Sequence, residues 1–114
     1  MLVYKIMTEA EFAAFRSGGT FAGSAADLAD GFIHLSAADQ LAGTLAKHFA
    51  GRGALVLLAC ETETLGEALR WEPSRGGQDF PHLYRALTER DVDWTRPIPP
   101  DADGGHPLPA DLAP

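Results

Sequence analysis

Polar and apolar positions alternate through Val3-Tyr4-Lys5-Ile6-Met7 and predict a first strand. Thr8-Glu9-Ala10-Glu11 then has the form of a capping box, with a threonine hydroxyl and a glutamate three residues apart closing a helix start. The spacing predicts a helix to about Ser17, stopped by Gly18-Gly19. Thr20 to Ala22 reads as a short extended piece, and residues 23–31 as a loop with one helical turn. Asp30-Gly31 is turn chemistry leading into a strand over Gly31 to Ser36. Side chains alternate across a strand, so Phe32, His34 and Ser36 share one face and Ile33 and Leu35 the other. Ser36 is the expected N-cap of the next helix, with Asp39 as the second half of its capping box.

From Ala37 to about Ala50, Leu41, Thr44, Leu45, His48 and Phe49 recur at the three and four spacing of a buried helical stripe, ended by Gly51 and Gly53. Leu55 to Glu61 is a short, nearly continuous apolar run, which predicts a central strand covered on both faces. Leu69 to Glu72 reads as a strand stopped by Pro73, residues 74–79 as a loop, and Phe80 to Arg85 as a further strand with Phe80, His82 and Tyr84 on one face. Val92 to Ile98 is the last strand. Residues 100–114, acidic and containing proline and glycine, are expected to form a mobile tail behind a single domain over residues 1–99. Strands and helices do not alternate regularly and no dinucleotide fingerprint follows the first strand, so the expected class is α+β rather than a doubly wound parallel sheet.

Composition narrows the function classes. A chain of 114 residues suits one domain with a sizeable core. Sixteen acids against nine bases give a formal charge of −7, which argues against bulk nucleic-acid binding while leaving room for a local basic pocket. The single cysteine, Cys60, lies inside an apolar run and excludes an intrachain disulfide. The N-terminus lacks the pattern of a secretory signal, no segment is apolar enough for a membrane span, and the cytoplasm is the expected compartment.

His34 is the first candidate for chemistry, a titratable ring in an apolar strand beside a helix start, though a hydrogen-bonded structural histidine fits the same position. His82, between Phe80 and Tyr84 on one face, suits either stacking against a flat ligand ring or an aromatic core cluster. His48 falls on the apolar stripe and reads as packing, and His106 as an inert tail residue. No ligand spacing of a metal site links these histidines, so no metal is expected. Arg75-Gly76-Gly77 has the makings of an anion site, a forked cation beside backbone N–H groups that glycine lets turn inward, or of a plain surface turn. Glu72 fits a general base, a ribose ligand or a structural ion pair.

Four segments, Tyr4-Lys5-Ile6, Asp30 to Ser36, Trp71 to Gly77 and Phe80 to Tyr84, together resemble the family called domain of unknown function 952, over about residues 2 to 99. The resemblance implies a compact fold similar to ADP-ribosyltransferases, two small, mostly antiparallel sheets with a cleft and flanking helices. Ile33-His34-Leu35-Ser36 is similar to the Val-His-Leu-Ser segment of the RNA 2′-phosphotransferase branch, which moves a 2′-phosphate from RNA onto NAD. Carried over by position, the histidine of that segment falls on His34, and an earlier histidine of a Tyr-His-Gly-Thr strand falls on Lys5. The chain departs from the pattern there, with Lys5 for the histidine and Ile6-Met7 for Gly-Thr.

The resemblance thus implies NAD as substrate or ligand, without a metal. His34, His82 and Glu72 are the candidate catalytic residues, and Lys5, Ser36, Arg75, Gly76, Gly77 and Tyr84 the candidates for holding the nucleotide. The partner implied is a nucleotide-like small molecule. Three readings stay open on sequence: chemistry at the nicotinamide ribose, a non-catalytic nucleotide sensor, and a protein-interaction domain.

Overall fold

The apolar run at 55–61 becomes β4 (Leu55–Glu61), the middle strand of an antiparallel sheet between β1 (Leu2–Thr8) and β8 (Val92–Ile98). This architecture is that of a computed structural model, which describes residues 1–112 and, among them, every side chain except that of Arg75. The unbroken hydrophobicity of β4 follows from its position, since both faces of this sheet are covered. Val3, Met7, Val56, Leu58 and Cys60 face one core cluster with Phe15, Ile33 and Leu83, while Tyr4, Ile6, Leu55, Leu57 and Ile98 face a second with Leu41 and Leu45. Burying a leucine completely contributes roughly 1.5–3 kcal/mol, so these two layers dominate the stability of the sheet.

Two smaller antiparallel sheets complete the strands, where the family resemblance implied two sheets in all. β2 (Thr20–Phe21) pairs with β7 (Leu87–Thr88), and β6 (Asp79–Leu83) lies between β3 (Ile33–His34) and β5 (Leu69–Pro73). The strand expected over Gly31 to Ser36 is therefore short. Its continuation crosses to the large sheet instead, because Ser36 and Tyr4 exchange backbone hydrogen bonds at 2.8 and 2.9 Å. That exchange seats the segment carrying His34 against the free edge of β1.

Helices α1 (Glu9–Gly18) and α2 (Ala25–Asp30) each start on a reciprocal capping box, Thr8 with Glu11 and Ser24 with Asp27. The first matches the sequence pattern. The turn expected within 23–31 is a capped helix of six residues, closed by Gly31 in the left-handed region. α3 (Leu41–Thr44) continues a 3₁₀ turn at Ala38–Gln40 and runs into a π-helical stretch at Leu45–Phe49, and α4 (Thr62–Leu65) follows β4.

Two expectations about this helical stretch are corrected. Ser36 does not cap it: its buried hydroxyl donates to the Thr44 hydroxyl at 3.0 Å, which donates on to the Gln40 carbonyl. The start is closed by the Gln40 side chain, whose Oε1 accepts from the Ala37 N–H at 3.0 Å, while Asp39 is exposed. His48 does not join the buried stripe either. The wider π turn shifts the angular register after Leu45, and the His48 side chain is exposed.

The segment expected as a mobile tail lies folded against the body as far as Leu112. Leu108 and Leu112 pack on the Tyr4 cluster, His106 is buried with Nε2 donating to the Gly53 carbonyl at 2.6 Å, and Arg96 pairs with Asp111 at 2.8 Å. His106 is thus a packing residue. No helix among the described residues is long and apolar enough to cross a membrane.

Cys60 is fully buried, and burial first, then the Asp91 charge, pushes its thiol up to about 12. Thiolate is the reacting form, so the folded protein is expected to leave Cys60 unmodified by an aromatic disulfide reagent at pH 8. The urea-unfolded chain should react at once. Stoichiometric labelling of the native protein would contradict this burial.

Candidate functional site

Lys5 occupies a core-facing position between Val3 and Met7 on β1, where an ammonium needs a partner. That partner is Asp27, which sequence reasoning missed. Its carboxylate, on the first turn of α2, accepts at Oδ2 from Lys5 Nζ at 2.8 Å and from the Ser24 N–H at 2.9 Å. Oδ1 accepts from the His34 N–H at 3.0 Å and meets His34 Nδ1 at 2.6 Å. Lys5 Nζ donates in addition to the His34 carbonyl at 3.2 Å.

Four donors thus converge on one carboxylate that is 2% exposed. Burial alone would raise the Asp27 carboxyl, but the His34 hydrogen bond and the Lys5 ammonium outweigh it and hold the group well below the usual carboxylate range. The chain passes close to it at Gly23, where a Cβ would come within 2.7 Å of the Asp27 Cβ. The Ser-x-x-Asp spacing of Ser24 and Asp27 was the available signal for α2. It said nothing about where the second carboxylate oxygen would point.

An ionised Asp27 has no proton to give, so His34 Nδ1 carries the hydrogen and donates. The imidazole is fixed in ring plane and tautomer by a buried acid, an arrangement that in hydrolytic enzymes presents the opposite nitrogen to a substrate. Here Nε2 lies 2.8 Å from the Asp30 carboxylate, which is itself largely exposed.

His82 forms a second such pair. It lies directly opposite His34 in the β3–β6 ladder, its Nδ1 is 2.8 Å from Glu72 Oε1, and the two imidazoles meet edge to face with centroids 5.7 Å apart. Tyr84 donates to the same Glu72 oxygen at 2.7 Å. These hydrogen bonds, Tyr84 first and His82 second, lower the Glu72 carboxyl. His82 is buried beneath Phe32, stacked on it at 3.9 Å, and among the described residues its Nε2 has no hydrogen-bond partner.

A cavity of about 710 Å³ opens at the free edge of β1, beneath α2 and the π-helical stretch. Of the sequence-predicted residues, Lys5, His34, Ser36 and His82 line it. Glu72, Tyr84, Gly76 and Gly77 do not; Glu72 orients His82 from behind, and Tyr84 holds Glu72. In the 3₁₀ turn Arg75–Gly77 the Gly77 N–H is taken up by the Ser74 carbonyl at 3.1 Å, and the Arg75 side chain lies outside the described residues. Asp27, Asp30, Thr44, His48 and Arg52 line the cavity without having been predicted to. Among the described residues no group of three or more His, Cys, Asp or Glu side chains could hold a metal ion.

The fold has solved counterparts. The chain is similar to the crystal structure of protein CC0527 from Caulobacter crescentus, with 54% identity, a TM-score of 0.93 and 98% of each chain covered. It is similar to a crystal structure of a double mutant of that protein at 53% identity and a TM-score of 0.92, again over 98% of each chain. The solution NMR structure of CC0527 matches at 56% identity and a TM-score of 0.81, over 91% of this chain and 90% of that one. No curated protein matches. The family described as protein of unknown function (DUF952) matches residues 6–95, and the chain belongs to that family.

Proposed function

We propose that the cavity binds a nucleotide-like ligand of the ADP-ribose type, NAD being the fullest form of it, with His34 touching the nicotinamide-side ribose or its phosphates. The observation that carries this is His34 itself: a histidine fixed at Nδ1 by a buried carboxylate, opening onto a cavity of about 710 Å³, within the size range of small-molecule sites. The likeness of Ile33-His34-Leu35-Ser36 to the phosphotransferase segment supports the ligand class. In a transfer reaction an oxygen of the acceptor would bond to the ribose carbon as the bond to nicotinamide breaks and nicotinamide leaves as the neutral base, and the exposed Asp30 carboxylate at the cavity mouth would place negative charge near an oxocarbenium-like ribose.

One observation favours binding without transfer. Lys5 stands at the position of the first histidine of the phosphotransferase pattern, and its ammonium is already engaged by Asp27 and the His34 carbonyl. A lysine so held orients the site and does not itself reach a ligand.

Thermal unfolding with NAD, ADP-ribose, nicotinamide and a 2′-phosphorylated RNA end tests both readings. A ligand at a hundred times its Kd adds about 2.7 kcal/mol to stability, a clear rise in Tm for wild type that should be absent in His34→Ala. No rise with any of the four at millimolar concentration would remove the nucleotide reading. If NAD binds, release of nicotinamide over hours distinguishes transfer from sensing.

A further inference from the structure

We infer that His34 Nε2 is the receiving point for an oxyanion, a phosphate group above all, and that the Asp30 carboxylate occupies this point as an internal stand-in. The inference rests on the nucleotide reading only for the rest of the ligand; the oxyanion itself follows from local geometry.

Asp27 accepts at both oxygens, from His34 Nδ1 and N–H at one and from Lys5 and Ser24 at the other, so it fixes a hydrogen on Nδ1. At the other end of the ring Nε2 lies 2.8 Å from Asp30 Oδ2, which is also an acceptor. With a carboxylate oxygen within hydrogen-bond distance of each nitrogen, the ring is placed to donate at both ends. Whatever replaces Asp30 must bring an acceptor to keep Nε2 satisfied, and a negative charge to keep the balance of the site. A phosphate oxygen brings both; a neutral hydroxyl or a ring nitrogen brings one.

Exposure and surroundings fit an exchange of this kind. The Asp30 side chain is 55% exposed and that of His34 37%, so the contact sits at the mouth of the cavity, whereas Asp27 is sealed beneath it. Asp30 is the last residue of α2, next to Gly31, where a side chain swings out without disturbing the helix. Beyond Nε2 the cavity wall carries further donors, the Ser24 hydroxyl and the Arg52 guanidinium. Among the described residues, the charged and titratable groups around His34 are Asp27 and Asp30 on α2, Lys5 on β1 and His82 on β6.

Calorimetric titration of inorganic pyrophosphate, ADP-ribose and adenosine into wild type, Asp30→Ala, Asp30→Ala/His34→Gln and Asp39→Ala tests this. Asp39 is exposed and lies off the cavity, so its variant reports the same change of charge without opening Nε2. Asp30→Ala should bind pyrophosphate and ADP-ribose about tenfold more tightly than wild type, the scale of one charge-assisted hydrogen bond. Adenosine should not gain, the double variant should lose the gain, and Asp39→Ala should not show it. Unchanged or weaker anion binding in Asp30→Ala, or a gain that survives loss of His34, overturns the inference, as does the absence of anion binding by every variant. A pyrophosphate gain without ADP-ribose binding would sink the nucleotide reading alone. ADP-ribose binding to wild type with no gain in Asp30→Ala would sink the oxyanion site alone.

Discussion

Asp27→Asn is expected to lower the folding free energy by about 3–5 kcal/mol, the usual cost of removing one partner of a buried ion pair. The asparagine matches the carboxylate in volume, so no cavity opens and packing is not the cause. What changes is the charge opposite Lys5, which is 5% exposed and then faces no anion at its ammonium. The new amide nitrogen also cannot accept, so at least one pair of donors among Lys5, Ser24 and His34 loses its acceptor. Against the 5–15 kcal/mol that typically holds a domain together, such a loss takes a large share. Asp30→Asn should cost no more than about 1 kcal/mol, because its pairing with the same histidine is solvent-exposed. Urea unfolding of the two variants side by side measures the contrast. Equal, small losses would mean that Asp27 is not the keystone of this region, and the fixed orientation of His34 would lose its basis.

The distribution of apolar residues made the large sheet legible from sequence, because a strand such as β4 buried on both faces leaves an unbroken run that little else resembles. The helix start at Thr8 was equally visible, its two capping residues being fixed by local spacing. What stayed hidden depended on contacts between distant segments. Ser36 looked like an N-cap until the pairing with Tyr4 drew it to the other sheet. His48 fell on a stripe computed for an α-helix and left it because the chain takes a π turn. Leu108 and Leu112 are too sparse among prolines and glycines to announce packing, yet they cover the Tyr4 cluster. For the site, the sequence singled out His34 and His82 as individual rings. Their facing register, and the acids behind them, required the fold. Lys5 is the clearest case: the resemblance implied a nucleotide contact for it by position, and only its neighbours Val3 and Met7 and the approach of Asp27 make it a buried counter-ion.

Acid should dismantle this site and the fold together. Asp27 is held below the usual carboxylate range despite its burial, by His34 and Lys5; Asp91 likewise despite its burial, by the bidentate Arg85 at 2.7 and 2.9 Å and by Thr88. In the unfolded chain both return to the ordinary value near about 3.9. Between that value and their lower folded values the unfolded state binds more protons, so stability falls as pH falls. Each unit of lowering is worth about 1.4 kcal/mol, fully present above the unfolded value and lost as pH drops through the folded one. The urea midpoint of wild type, followed from pH 7 to pH 2.5, should show this contribution essentially intact down to about pH 5 and declining steeply below it. Asp27→Asn should start lower at neutral pH and decline less, so that the two curves converge in acid. Parallel curves would show that Asp27 titrates normally in the folded state and that the four donors around it do not stabilise its charge. Convergence would tie the acid-labile part of the stability to the carboxylate that fixes His34, and the same protonation that unfolds the chain would be the one that frees the imidazole.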